Sequence, residues 1–275
     1  MGGRANPLMI QKSDGGYGYD STDMAALSYR LRTLKANRIV YITDFTQTDH
    51  FMMCFEAARL AGWWNETSHS VDHIGFGVVC GDDGKKFATR SGETVRLVDL
   101  LDESVARMEK GLRERAAEGK GSIPEDEIRA TAEKIGYGAI KYFDLSRNPA
   151  SNYVFSYDKM LDTRGNTGVY LMFAYARLKS IMNKSGADVK QLREAKTDII
   201  LEHVCERALA FELLRFSDVL VDVLTSLTPN KITDYLYSLS LCATSFVTEC
   251  RVIQPDNPTE MNSRLVMLEE ALRLH

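Results

Sequence analysis

The sequence lacks the features that mark secreted, membrane-spanning and zinc-binding proteins. Its five cysteines are scattered, odd in number and form no C-x-x-C pair, which favours reduced, buried thiols over disulfide bonds. No group of histidines and cysteines has the spacing of zinc ligands. Every apolar run is far shorter than the roughly 18 residues of a membrane span. Residues 1–16 show neither the apolar core of a secretory signal nor the amphipathic pattern of a transit peptide.

The composition is that of a globular protein with no strong charge bias. The chain has 275 residues, of which 44% are hydrophobic and 26% charged, so it has room for one large domain or two ordinary ones. The net charge is −4, and the part from Ser151 onward contains 14 Lys and Arg against 16 Asp and Glu. Any contact with nucleic acid would therefore need a local cationic face.

The first part of the chain alternates between strand and helix patterns. An Asp-Gly turn at 13–16 between two extended runs predicts a hairpin or tight β-loop, and a short helix is expected to open at Asp23. Arg38–Thr43 and His73–Cys80 have the pattern of strands buried on both faces, and Phe51–Leu60 that of a helix between them. This order predicts one βαβ unit of a parallel sheet, with ligands at the carboxyl ends of its strands.

The rest of the chain has helical patterns. A charged amphipathic helix is predicted over Leu97–Glu118, and a capping box at Ser122–Glu125 predicts another that runs to Phe143. A loop at Arg147–Pro149 is the expected hinge. Further helices are predicted at 170–183, 190–226, 228–250 and 262–275. The expected fold class is therefore α/β followed by all-α.

Seven segments of the sequence carry more specific motifs. They are QKSDGGYGYDSTDMAALSYRL, YITDFTQTDHF, VDHIGFGVV, DGKKFATRSGETVRLVDLL, GAIKYFDLS, NYVFSYDKMLDTRGNTGVYLMFAYARLKSI and SRLVMLEEAL. In this order they resemble the arginyl-tRNA synthetases of class I. The runs KKFATRSGETVRL and FSYDKMLDTRGNT are similar to eukaryotic forms in particular.

The resemblance implies a fold, a reaction and a set of partners. It implies the second half of a Rossmann-type catalytic domain over 1–155 and a helical anticodon-binding bundle, truncated at its end, over 156–275. The reaction is the ATP-dependent activation of arginine and its transfer to tRNA, with Mg²⁺ as the counter-ion of ATP and no protein metal site. Expected partners are arginine, its tRNA and the missing amino-terminal half or a larger assembly, without DNA or membrane. A cytoplasmic location is expected, and an organellar form stays open.

The arginine pocket implied by the resemblance contains Tyr19, Asp23 and Gln47. Guanidinium is planar and always cationic, so its pocket needs a carboxylate and oriented acceptors. The spacing Tyr19-x-x-x-Asp23 matches the family motif, with Asp23 as the partner of the guanidinium or ammonium group. The alternative is that Asp23 merely caps its helix. His50 lies one helical turn after Gln47. Without the resemblance, it would be interpreted as a surface residue in the first turn of its helix.

A basic loop lies where class I enzymes carry a mobile Lys-Met-Ser-Lys sequence. Lys85, Lys86 and Arg90 are expected to neutralise the charge that builds on the leaving pyrophosphate, although Ala88 departs from the family pattern. The alternative is a solvated basic turn. The resemblance also implies contacts with ATP at His73, Phe76, Gly77 and Lys86.

The class I signature His-Ile-Gly-His is not present in this sequence. His73-Ile-Gly-Phe76 is similar to it, but the run continues as Gly77-Val-Val-Cys, which is a strand pattern. The signature belongs on a strand-to-helix turn, where a helix amino terminus meets the phosphates of ATP. By the resemblance, residue 1 corresponds to a point inside the catalytic domain, and the last helix stops before the family's tail.

The helical half carries the residues expected to contact tRNA. Arg164, Arg177, Lys179 and Lys184 are candidates for a phosphate-facing stripe. Tyr235 and Tyr237 offer rings for unstacked bases, although aromatic residues at helical spacing also form cores, and at least one of this pair is expected in the core. Phe173 stands where most family members have tyrosine.

Two functions follow from these patterns. The first is part of an arginine–tRNA ligase, incomplete here and inactive alone because the His-x-Gly-His half is absent. The second is a non-catalytic RNA-binding or structural subunit derived from a synthetase. The matches at Tyr19, Asp23, Gln47 and the basic loop favour the first, whereas Ala88 and Phe173 favour the second.

Overall fold

The computed structural model describes residues 7–65, 67–81, 84–85, 95–119 and 123–275. The chain divides into two compact units. The α/β unit comprises residues 1–80 and 149–153, and the helical unit comprises residues 81–148 and 154–275. In the part of the chain that is described, no helix is long and apolar enough to cross a membrane.

The α/β unit contains the predicted parallel strand–helix–strand arrangement. Its elements are α1 (Tyr19–Ser28) with a π turn (Tyr29–Thr33), β1 (Arg38–Asp44), a 3₁₀ turn (Phe45–Gln47), α2 (Thr48–Leu60), β2 (Ser70–Phe76) and β3 (Val79–Cys80). β1 and β2 are parallel neighbours, with Arg38 opposite Ser70 and Asp44 opposite Phe76. The prediction of a βαβ unit is confirmed.

The start of the α/β unit differs from the predicted hairpin. Lys12 and Gly15 close a tight turn in which Gly15 has a φ of 82°, so the turn is confirmed. Residues 7–18 form no strand. The helix begins at Tyr19, with Gly18 in extended conformation before it. Asp23 thus lies inside α1 and does not cap it.

The predicted strand at 73–80 is two strands. β2 ends at Phe76, and β3 pairs with β4 (Tyr153–Val154) in a separate two-stranded sheet. The Gly77 N–H donates to the carbonyl of Pro149 at 2.8 Å, and a Cβ at Gly77 would lie 2.4 Å from the carbonyl oxygen of Ser151. A glycine is therefore needed where the chain leaves the first sheet.

Only one face of the β1–β2 sheet packs against a core. Ile39 and Val71 are buried on that face, with Phe51, Phe55 and Ala58 of α2 in the same cluster. The opposite face is open, since Val40 is 38% and Ile42 66% exposed. The prediction that β1 is buried on both faces is therefore wrong within the described structure.

The helical unit follows the predicted helices with two corrections. Its helices are α3 (Leu97–Ala117), α4 (Glu125–Leu145), α5 (Tyr157–Met160), α6 (Gly168–Ser185), α7 (Val189–Glu194), α8 (Val204–Leu214), α9 (Phe216–Ser226), α10 (Asn230–Glu249) and α11 (Pro258–Leu274). The single helix predicted over 190–226 is three helices. Lys196, with a left-handed φ of 50°, and the irregular residues 197–203 separate α7 from α8, and a turn at Arg215 separates α8 from α9. α11 begins before Asn262, where Asn257 caps it.

The core of the helical unit lies between α6, α8, α10 and α11. Leu209, Leu239, Phe246 and Leu268 are fully buried there. Loop 147–149 lies between α4 and β4, as predicted. Its role as a hinge and the domain boundary at 155/156 stay predictions.

Candidate functional site

A histidine between two carboxylates joins α1 to α2 in the α/β unit. His50, in the first turn of α2, places Nε2 2.7 Å from Asp23 Oδ2 and Nδ1 3.3 Å from Asp20 Oδ1. The three side chains are 23% to 34% exposed. Asp20 and Asp23 are three residues apart on α1, so both carboxylates lie on the same side of that helix. The cluster is accessible to solvent yet held by specific contacts.

Packing fixes the orientation of the His50 ring. The Phe51 ring stands edge-on to it at 5.1 Å, and the thiol of the buried Cys54 lies 3.8 Å from Nε2. Burial, together with the negative charges of Asp23 and Asp20, raises the pKa of Cys54 to about 12. Cys54 therefore stays a neutral thiol at physiological pH and adds no charge to the cluster.

The other two predicted arginine-site residues lie beside this cluster in the chain. Tyr19 is 87% exposed and precedes Asp23 by four residues, so both belong to one face of α1. Gln47 is exposed and immediately precedes α2, three residues before His50. Because Asp23 and His50 are in contact, the segments that carry Tyr19 and Gln47 meet here. The contributions of Asp20 and His50 were not predicted.

In the segment predicted to contact ATP, the His73 side chain contacts other residues of the α/β unit. His73 Nε2 lies 2.8 Å from Thr43 Oγ1, its ring stacks on Phe51 at 5.1 Å, and burial lowers its pKa. The contact with ATP was expected along the backbone of this stretch, and it stays a prediction. Phe76 is 45% exposed, and the Gly77 N–H is used by Pro149.

The basic loop is described only at its start. Lys85 belongs to the helical unit, and its carbonyl accepts a hydrogen bond from the Gly81 N–H at 2.9 Å. Lys86, Ala88 and Arg90 lie outside the described residues. The catalytic roles of Lys85, Lys86 and Arg90 therefore stay predictions.

α6 carries an exposed cationic depression. A cavity of about 540 Å³ is lined by Tyr175, Ala176, Lys179, Ser180, Asn183 and Lys184. Two of the four predicted cations, Lys179 and Lys184, thus meet at one cavity. Arg177 donates to Thr248 Oγ1 of α10 at 3.3 Å. Arg164, 87% exposed, contacts Asp162 at 3.4 Å.

Tyr235 is a core residue and not a free ring. It is 3% exposed, its hydroxyl donates to the carbonyl of Glu212 at 3.0 Å, and its ring packs on Phe216 at 5.6 Å. The interpretation of Tyr235 as a base-stacking residue is therefore wrong for this structure, and the alternative of core packing holds. Tyr237 stands edge-on to Tyr170 at 5.7 Å. Tyr175, 41% exposed, is a ring that the sequence reasoning missed.

The ranges that the structure describes contain no candidate metal site. No three or more His, Cys, Asp or Glu side chains in those ranges are arranged to hold a metal ion. Asp20, Asp23 and His50 form a polar cluster through the His50–Asp23 hydrogen bond and the His50–Asp20 contact.

Two family models match the chain in sequence order. The model described as "tRNA synthetases class I (R), catalytic domain" matches residues 2–157. The model described as "DALR anticodon binding domain" matches residues 171–274. Together they cover the α/β unit and most of the helical unit.

Curated relatives extend this match over almost the whole chain. The chain is 48% identical over 266 residues to the chloroplastic/mitochondrial arginine–tRNA ligase of Arabidopsis thaliana, covering 96% of the chain and 40% of that enzyme. It is 44% identical over 271 residues to the arginine–tRNA ligase of Nostoc punctiforme, covering 98% and 46%. The chain thus spans less than half the length of these relatives.

Solved structures agree with the fold. The arginyl-tRNA synthetase of Plasmodium falciparum superposes with a TM-score of 0.82 at 32% identity, covering 100% of this chain and 46% of that one. The Thermus thermophilus arginyl-tRNA synthetase has the same fold, with a TM-score of 0.81 at 20% identity, covering 100% and 50%. The fold is part of a class I catalytic domain followed by a helical anticodon-binding domain, and the chain belongs to the class I arginyl-tRNA synthetase family.

Proposed function

We propose that this chain supplies the arginine pocket and the anticodon-binding part of an arginine–tRNA ligase. The observation that carries the proposal is the contact of 2.7 Å between Asp23 and His50. It joins the face of α1 that carries Tyr19 to the start of α2, beside Gln47. A partly exposed carboxylate in a polar cluster at the carboxyl end of β1 suits a guanidinium ligand.

In this proposal Asp23 binds the guanidinium or ammonium group of arginine through a charge-assisted hydrogen bond. Tyr19, whose ring is exposed, forms a wall of the pocket. Gln47 is expected to hold the amino acid through its side-chain amide. These groups position arginine for attack on the α-phosphate of ATP, and positioning supplies much of the rate of such a displacement.

ATP is the second substrate of the proposed reaction, and Mg²⁺ accompanies it as a counter-ion. Phe76 and Gly77 lie at the carboxyl end of β2, and nucleotides bind at the carboxyl ends of the strands in parallel sheets. Lys85, Lys86 and Arg90 are proposed to balance the charge of the leaving pyrophosphate.

The tRNA is proposed to meet the helical unit at the cavity on α6. Lys179 and Lys184 offer two cations to phosphates, and Tyr175 offers a partly exposed ring to an unstacked base. Arg164 and Arg177 extend the cationic surface. The relatives include both cytoplasmic and organellar enzymes.

We also propose that a polypeptide of these 275 residues does not activate arginine by itself. Its sequence contains no His-x-Gly-His run, and in class I enzymes that run contacts the phosphates of ATP. The purified polypeptide should show no pyrophosphate exchange with arginine, ATP and tRNA. Exchange should appear when the amino-terminal part of a close relative is added as a second polypeptide. Steady exchange by the 275 residues alone would contradict this proposal.

The role of the pocket is tested in the same two-polypeptide assay. Asp23→Asn should abolish exchange, because it removes the charge that faces the guanidinium group. Asp49→Asn is the matched control, since Asp49 is an exposed carboxylate in the first turn of α2. If the mixture binds tRNA but never exchanges pyrophosphate, the chain is instead a non-catalytic RNA-binding subunit.

A further inference from the structure

His50 contacts two groups that can only accept hydrogen bonds. Ionised carboxylates have no proton to donate, and a neutral imidazole has one donor and one acceptor nitrogen. The contacts of Nε2 with Asp23 and of Nδ1 with Asp20 are therefore both favourable only when the ring is an imidazolium. A neutral ring can donate a proton to one carboxylate only, and its second nitrogen then directs a lone pair toward the other carboxylate, which is repulsive.

The two carboxylates differ in how firmly they are held. The second oxygen of Asp20, Oδ2, accepts a hydrogen bond from the Met9 N–H at 2.7 Å. Among the residues that the structure describes, Asp23 Oδ1 has no hydrogen-bond partner, and the Asp23 side chain is 34% exposed. Asp20 is thus anchored by the fold, whereas Asp23 keeps an acceptor for a ligand.

The other titratable groups around His50 are a thiol, a phenol and a second histidine, and burial shifts the pKa of each. Burial raises the pKa of the Cys54 thiol to about 12 and that of the Tyr41 hydroxyl above its ordinary value. Burial lowers the pKa of His73, which lies behind the Phe51 ring. The guanidinium of Arg30 lies over the Tyr41 ring, 5.0 Å from its centroid, and keeps its charge at all physiological pH values.

We propose that His50 is a positioning residue that exchanges a proton for the guanidinium group of arginine. Without arginine, the imidazolium bridges Asp20 and Asp23. When the guanidinium binds Asp23, His50 releases its Nε2 proton to solvent and keeps its Nδ1 proton, which faces Asp20 Oδ1 at 3.3 Å. The freed Nε2 lone pair then accepts a hydrogen bond from the guanidinium, and the net charge of the cluster is unchanged.

This exchange rests on the proposed arginine pocket and makes a quantitative prediction. If one proton leaves for each arginine bound, the affinity for arginine rises about tenfold per pH unit while His50 is protonated, and it levels off once the ring is neutral. By reciprocity, arginine weakens proton binding at His50 by the same factor. A purely structural histidine would give neither effect.

The test uses titration calorimetry of arginine into the 275-residue polypeptide between pH 5.5 and 7.5. At each pH, two buffers of different ionisation enthalpy report the number of protons released. We expect close to one proton per arginine at the acid end, falling towards zero at the basic end. In ¹⁵N spectra, arginine should convert the His50 ring from two protonated nitrogens to one.

Two variants separate this role from a structural one. His50→Gln keeps a donor but cannot titrate, so arginine binding should lose its proton release and its pH dependence. His69→Gln is the matched control, because the His69 ring bonds only to Asn65 and Ser68 among the described residues, and it should behave like the parent. Arginine binding without proton release, or a pH dependence that survives in His50→Gln, would overturn the exchange alone. No arginine binding at any pH would overturn the proposed pocket and the exchange together.

Discussion

Replacing Arg264 with methionine should strongly destabilise the helical unit. Glu206 is 1% and Arg264 7% exposed, and Arg264 Nε lies 2.7 Å from Glu206 Oε1. Arg264 also donates to the carbonyl of Arg251 at 3.0 Å. The variant removes these donors and leaves Glu206 as a buried charge that keeps only backbone hydrogen bonds, from His203 and Glu202, among the described residues.

The expected loss is about 3–5 kcal/mol of the free energy of unfolding, which is typical when one partner of a buried ion pair is removed. At about 2–4 °C per kcal/mol for a chain of this size, the melting temperature should fall by roughly 6–20 °C. Circular dichroism at 222 nm follows the transition, since the helices of this unit dominate the signal.

The control variant is Arg273→Met on the same helix. Arg273 is 52% exposed and lies 3.5 Å from Glu270, and such surface pairs contribute about 0–1 kcal/mol. If Arg264→Met and Arg273→Met lower the melting temperature equally, the buried pair does not have the role that its geometry indicates.

The pH dependence of the same pair has a defined sign. Burial alone would raise the pKa of Glu206, but hydrogen bonds from the His203 N–H and Arg264 outweigh it, so the pKa is lowered on folding. A group with a lowered pKa stabilises the fold above its unfolded value of about 4.3, and this contribution disappears as the pH falls through the folded pKa. The stability difference between the parent and Glu206→Gln should therefore be constant near neutral pH and shrink below about pH 4. A difference that grows on acidification would contradict this assignment.

Three further predictions concern other parts of the chain. Gly77→Ala should disrupt the packing of the 149–153 segment, because the new Cβ would lie 2.4 Å from the Ser151 carbonyl oxygen; faster proteolysis within that segment would reveal it, and unchanged cleavage would refute it. Tyr235→Phe should cost about 1 kcal/mol through the lost hydrogen bond and leave tRNA affinity unchanged; weaker tRNA binding with normal stability would contradict the core assignment. Replacing Lys179 and Lys184 together with alanine should reduce the salt-dependence slope of tRNA binding by about 1.4, or about 0.7 per phosphate contact, in filter-binding titrations; an unchanged slope would exclude the α6 cavity as the contact.

The local sequence predicted the α/β unit well where a single periodicity dominates. β1 and α2 form where the sequence has a continuous apolar run and an apolar repeat at helical spacing, and the parallel pairing of β1 with β2 follows from the βαβ order. The division of 73–80 into two strands could not be predicted in this way. It depends on the backbone at 149–153, about seventy residues away, which requires a glycine at position 77.

The site was predicted less completely because contacts between helices are invisible in a local pattern. Tyr19, Asp23 and Gln47 came from the family motif, and their spacing alone does not specify a pocket. The contacts of His50 with Asp20 and Asp23 depend on the packing of α1 against α2, which the local sequence does not show. Tyr235 was predicted to contact tRNA, but its hydroxyl donates to the carbonyl of Glu212 on α8. No feature of the α10 sequence alone distinguishes this buried ring from an exposed one.

The polar cluster between α1 and α2 is better explained by function than by stability. Ion pairs as exposed as Asp23 and His50 contribute only about 0–1 kcal/mol, whereas apolar side chains at the same helix contact would extend the adjacent core of Phe51 and Cys54. Helix capping cannot account for Asp23 either, because α1 begins four residues earlier. A charged group held at this position adds little to the fold but offers an oriented acceptor to a cationic ligand, and polar groups that local stability does not require are expected at sites of binding.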